Sequence, residues 1–119
     1  MISVNEIDGS IECYAGNSGY IRIVPLDTDD EPYFLEADET VIFTVAAGSR
    51  VYIQKTLTKD DQDERGILNL FISHNDTKDM VIAWYKYDCL FVSPQKDQYD
   101  TFIGPSQFVV KSAPSSVGD

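Results

Sequence analysis

The 119 residues carry nine Lys and Arg against twenty Asp and Glu, a formal net charge of −11. At 43% hydrophobic the chain can bury one ordinary core, which excludes a disordered segment. The acidic balance speaks against nucleic acid, whose phosphates need clustered Lys and Arg, and against an anionic membrane surface.

The start, Met1-Ile2-Ser3-Val4-Asn5-Glu6-Ile7-Asp8, has no basic n-region and no apolar h-region, so no secretory leader is expected. Period-two alternation then dominates. From Tyr20 to Val24, Ile21 and Ile23 share a face, and Asp27-Thr28-Asp29-Asp30-Glu31-Pro32 reads as a turn. Val41, Phe43 and Val45 form the apolar side of a half-buried strand. After Ala47-Gly48-Ser49 the chain returns with Val51, Ile53 and Leu57 on one side, which predicts a hairpin. Lys59 to Arg65 is acidic and lacks an apolar anchor, so it is expected to be an exposed loop.

Ile67 to Ile72 is the next predicted strand, followed by a polar stretch that suits one helical turn near Asn75 to Asp79, capped by Ser73 or Asn75. Val81 to Val92 gives the longest strand signal. Tyr85, Tyr87, Cys89 and Phe91 share its apolar face with the core, while Trp84, Lys86 and Asp88 face water or a partner. Two more strands, Tyr99 to Ile103 and Gln107 to Lys111, are expected on either side of a Gly104-Pro105 break. Residues 1–111 read as one domain and 112–119 as a flexible polar tail. No apolar run approaches the roughly 20 residues needed to span a bilayer.

Seven to eight short strands with turn-punctuated spacing predict an all-β, immunoglobulin-like antiparallel β-sandwich. Tyr85 and Tyr87 suit the tyrosine that pins a sandwich corner. Cys13 and Cys89 lack CxxC spacing and are expected to be free thiols, with a bridge between two sheets as the alternative.

The residues offer little chemistry. His74 is the one histidine and is expected to be a solvated turn side chain, so no nucleophile has an evident base. Two acidic stretches, Asp27 to Glu31 and Asp60 to Glu64, could hold a hard cation, but neither has the spacing of a calcium loop, and solvated charge is the simpler reading. No catalytic residue, metal ligand or cofactor is expected. The candidate site is an interface through Trp84, Lys86 and Asp88, since exposed Trp marks contacts.

Six segments in order carry a resemblance. They are Ile11-Glu12-Cys13-Tyr14-Ala15-Gly16-Asn17, the run from Glu31-Pro32-Tyr33 to Phe43-Thr44-Val45, Ile53-Gln54-Lys55, Asp76-Thr77-Lys78-Asp79-Met80, Tyr85-Lys86-Tyr87-Asp88-Cys89 and Pro105-Ser106-Gln107-Phe108-Val109-Val110. Together the chain resembles the N-terminal domain of the phage baseplate upper protein family of Gram-positive prophages, across roughly residues 9 to 111. Asn17, Ala37 and Cys89 depart from the residues usual there. The resemblance implies an immunoglobulin-like sandwich without enzymatic activity, a virion component assembled in the bacterial cytoplasm. Its partners would be other tail or baseplate proteins, with no nucleic acid and no membrane, and the isolated domain would be a monomer or weak homo-oligomer. A small module binding a cell-surface carbohydrate or peptide is the alternative, because fold does not fix function.

Overall fold

A computed structural model of the chain describes residues 2–4, 10–81 and 83–111. The expected tail at 112–119 lies outside the described residues. Among the described residues eight strands are formed: β1 (Ile2–Val4), β2 (Ile11–Tyr14), β3 (Gly19–Ile23), β4 (Thr40–Ala47), β5 (Arg50–Leu57), β6 (Leu68–Ile72), β7 (Ala83–Ser93) and β8 (Gln98–Lys111). The one α-helical turn among the described residues, α1, covers His74–Thr77. Ser73 caps it, its side chain accepting from the Asp76 amide while the Asp76 carboxylate accepts from the Ser73 amide.

Six strands make one sheet in the order β1-β2-β8-β7-β4-β5, and β3 pairs with β6 in a second. The alternating apolar residues meet between them: Val41, Phe43 and Val45 of β4, Tyr85, Tyr87 and Cys89 of β7, Ile21 and Ile23 of β3, and Leu68, Leu70 and Ile72 of β6 are all buried. This is the predicted all-β sandwich. Its β8-β7-β4-β5 order facing β3-β6 corresponds to strands G-F-C-C′ facing B-E of a variable-type immunoglobulin arrangement. Pairing is antiparallel except between β2 and β8, which run parallel, so the larger sheet is mixed. The corner tyrosine is Tyr85, whose hydroxyl donates to the Val81 carbonyl at 2.7 Å.

Several strand details differ from the alternation, two of them through a bulge. Val45 pairs with Ile53 but Ala46 pairs with Val51, which leaves Tyr52 as an extra residue. The slip turns Tyr52 inward against Tyr85, with ring centroids 4.9 Å apart, and puts Val51 on the outer face, half exposed, instead of beside Ile53. Gly104-Pro105 does not break β8 into two strands. Register shifts opposite Asp88 and at Phe102 absorb the Gly, the Pro and one more residue, and the strand continues. Phe91 is half-buried and not fully so, because β3 ends at Ile23 and the second sheet does not reach it. Within the acidic loop, Lys59–Asp61 forms a 3-10 turn capped by Thr58.

The segments that carry the resemblance brace one another. Lys55 pairs with Asp76 at 2.9 Å. The buried Thr77 hydroxyl accepts from the Gly16 amide at 3.0 Å and donates to the Asn17 carbonyl at 2.9 Å. His74 is likewise bound and not merely solvated, since its Nδ1 donates to the Gly16 carbonyl. Cys13 and Cys89 are both free and buried.

Candidate functional site

At the end of the sandwich where β3 stops, the inner face of the large sheet is covered, among the described residues, by the loop between β3 and β4. A groove of about 350 Å³ remains there. Tyr33 from the loop, Phe91 from β7 and Phe102 from β8 form aromatic walls, and Lys96, Gln98 and Asp100 supply polar groups. The stretch Pro25–Thr28 closes the other side. In immunoglobulin terms the groove lies between the B–C loop and the F–G hairpin, at the end that carries antibody binding loops.

A fully buried carboxylate holds these walls together. Glu39 Oε1 accepts from the Tyr33 hydroxyl at 2.7 Å and from the Glu36 amide at 2.9 Å. Its Oε2 accepts from the Ser93 hydroxyl at 2.8 Å and faces Lys96 Nζ at 3.5 Å. Lys96 also donates to the Tyr33 hydroxyl at 3.1 Å and lies 5.6 Å from that ring's centroid. Burial works against the charge on Glu39. The Glu36 amide, the Tyr33 and Ser93 hydroxyls and Lys96 together more than offset it and keep the carboxyl below its ordinary value. Lys96 is raised, first by its bond to Tyr33 and further by Glu36 and Glu39. The network therefore ties the loop, the start of β4 and the F–G hairpin into one unit.

Gln62 supports the same loop from behind. Its carbonyl oxygen accepts from the Leu35 amide at 2.9 Å, and its amide donates to the Tyr33 and Gly66 carbonyls at 2.8 and 2.9 Å. Sequence reasoning missed both residues. A signal for Glu39 existed: it has the same parity as Val41, Phe43 and Val45 and so had to point inward. Nothing in the pattern marked Gln62, which stands in an acidic loop.

Trp84, Lys86 and Asp88 lie elsewhere, on the outer face of the large sheet. Trp84 is 71% exposed, at the opposite end of β7 from Ser93 and about 30 Å along the strand from it. It pairs across the sheet with Val109, and Glu12 lies beyond, in an ion pair with Lys111 at 3.2 Å. Lys86 is exposed between Gln107 and Ala46, and Asp88 is half-buried beside Thr44.

The acidic stretches act as loop braces. Asp27 Oδ1 accepts from the Asp29 and Glu31 amides at 2.8 and 3.1 Å, and Asp63 Oδ1 accepts from those of Arg65 and Ile67 at 2.8 and 3.0 Å. Among the described residues no three His, Cys, Asp or Glu side chains converge on a metal position. Burial raises the Cys13 thiol to about 11 and the Cys89 thiol to about 12, which leaves both unreactive as nucleophiles. The groove can stack a ligand on aromatic rings, donate from Lys96 or Gln98 and accept at Asp100. No protein-family model matches the chain, and no curated protein matches it significantly.

Proposed function

We propose that the chain is a structural adaptor of a phage or prophage tail baseplate, without enzymatic activity, that works by contacts with other tail proteins. The observation that carries the contact reading is Trp84, which stands 71% exposed on the broad outer face of the large sheet. An exposed Trp has much apolar surface to bury and few rotatable bonds to order on binding, the character of a binding anchor. The tail assignment draws on the six ordered segments, which occupy the framework and brace it through Lys55–Asp76 and Thr77–Gly16. In this reading the partner surface is apolar at its centre or basic, because copies with a net charge of −11 repel one another. The isolated domain is then a monomer or weak homo-oligomer.

The test is incorporation into particles. Phage particles induced from the producing cell and purified by density should contain the chain in fixed proportion to other tail proteins, and Trp84→Ala should deplete it. Absence of the chain from purified particles would overturn the assignment. A second reading, a module for a cell-surface carbohydrate or peptide, is favoured by the aromatic groove. Glycan-array hits lost on Phe91→Ala but kept on Trp84→Ala would support it.

A further inference from the structure

We infer that the groove and the adjacent edge of β8 form one docking site for an extended basic segment of a partner, which adds as a strand along 98–103 and lays an Arg or Lys side chain between Tyr33, Phe91 and Phe102. This goes beyond the assembly reading and stands whatever Trp84 meets.

The edge comes first. β8 is fourteen residues long, yet β2 pairs with it only from Phe108 to Lys111. Along 98–103 its paired neighbour among the described residues is β7 on one side alone. Residues 98–101 are exposed, so the outward row of backbone N–H and C=O groups is open to another strand. Gly104-Pro105 and the bulge beside it end that open stretch.

The groove lies in register with this edge. Gln98 and Asp100 pair with Ser93 and Phe91 on the inner face, while Tyr99 and Thr101 pair with Val92 and Leu90 on the outer. A strand added beside β8 therefore points alternate side chains toward the groove, the arrangement in which main-chain bonds give affinity and a pocket gives specificity. Charge and shape select the side chain. Three aromatic walls suit a long alkyl stem that carries its charged end to the acidic rim, away from Tyr33, where Lys96 already stands 5.6 Å from the ring centroid. Asp27 and Asp100 stand at the rim, and the loop continues as Asp29-Asp30-Glu31. The cation already inside, Lys96, is matched by Glu36 at 3.8 Å and by Glu39, so the rim keeps its negative charge. A second copy of this acidic chain is a poor occupant, since its own net charge is −11.

The test is a titration of the whole ¹⁵N-labelled chain with a short peptide of alternating Thr and Arg, against the same peptide with Glu in place of Arg. Expected are amide shifts at 98–103 and in the 25–33 loop with the Arg peptide alone. Asp100→Lys should weaken that binding at least about tenfold, and Trp84→Ala should leave it unchanged. N-methylation of alternate peptide amides should abolish it, because strand addition needs those donors. Equal binding by the Glu peptide or by the N-methylated peptide would overturn the inference. So would shifts centred on Trp84 and Lys86, no shifts at millimolar peptide, or shifts at 98–103 produced by a neutral monosaccharide and not by the Arg peptide. The spectrum of each variant reports whether it is folded.

Discussion

The two ends of β7 present opposite surfaces. At one end Ser93 is 1% exposed and bound to a carboxylate that is itself fully buried, and the chain around them folds into a groove. At the other end Trp84 is 71% exposed on an open sheet face. The groove end is fixed in advance by bonds from Tyr33, Ser93, Lys96 and the Glu36 amide, so a ligand meets little ordering cost there. The Trp84 end offers exposed apolar area without such a bonded frame, so affinity there would depend on the shape a partner brings. One strand thus joins a preorganised groove to an exposed tryptophan, and both rest on one core.

The largest perturbation tests whether the ends belong to a single cooperative body. Phe43 is fully buried in mid-β4, opposite Cys89, with its ring 5.5 Å from that of Tyr87. Phe43→Ala should cost ~3–5 kcal/mol, with the groove and Trp84 losing structure in one transition. Separate melting of the two ends, followed by tyrosine and tryptophan signals, would break the comparison by showing two independent units.

Glu39→Ala strikes the groove end alone. It leaves the Ser93 and Tyr33 hydroxyls and the Glu36 amide without their acceptor, and a loss of about 3 kcal/mol is expected from chemical denaturation. Ring contact between Tyr33 and Phe91, now edge-to-face at 5.7 Å, should be lost, while the surroundings of Trp84 stay as they are. The same carboxylate gives a pH dependence. Glu39 is depressed in the folded chain despite its burial, as is Asp76 through Ser73 and Lys55. A depressed carboxyl contributes stability above its unfolded value, about 4.3 for Glu and 3.9 for Asp, and loses it as pH falls through the folded value. Melting temperature should therefore be level above about pH 5 and decline below about pH 4, with a shallower decline in Glu39→Gln.

Legibility in the sequence follows the same division. The faces of β4 and β7 could be read because each alternates about a single buried side, and Trp84 followed from parity alone. Glu39 obeyed that parity too, but a carboxylate beside Asp38 at a strand start looks like the end of a loop, and only the partners Tyr33 and Ser93, distant in sequence, make it an inward residue. The bulges at Tyr52 and in β8 depend on which strand lies opposite, information that period-two patterning does not contain. Val51 and the Gly104-Pro105 stretch depart from the alternation for that reason. The groove itself exists because β3 stops before β7 and β8 do, a mismatch of lengths across two sheets.

A smaller perturbation loosens the groove from behind. Gly66 has φ +84°, and a Cβ there would stand 2.6 Å from Pro32 Cβ, next to Tyr33. Gly66→Ala should cost about 1–2 kcal/mol through backbone strain and displacement of the loop. Peptide binding at the groove should fall with it while Trp84 is untouched. An unchanged melting temperature would show that the loop yields freely and that the groove is not preorganised.

Trp84→Ala should have the smallest effect on the isolated domain, within about 0.5 kcal/mol, because the side chain is exposed and little packing is lost. Its effect on assembly should be far larger. An anchor of this kind contributes about 2 kcal/mol or more to binding, roughly thirtyfold in affinity. The chain has a single tryptophan, so its fluorescence reports this end of β7 and nothing else. In the isolated chain the emission should be that of a solvated indole, and light scattering should show a monomer or weak oligomer at micromolar concentration. Under the proposed assignment, addition of a tail-protein partner should shift the emission to the blue, as the ring leaves water, without moving the Tyr33 and Phe91 signals. A blue shift that appears on concentrating the chain alone, together with a tight oligomer that Trp84→Ala dissolves, would instead make the anchor a contact between copies. A tight oligomer that the substitution leaves intact would remove Trp84 from the interface altogether.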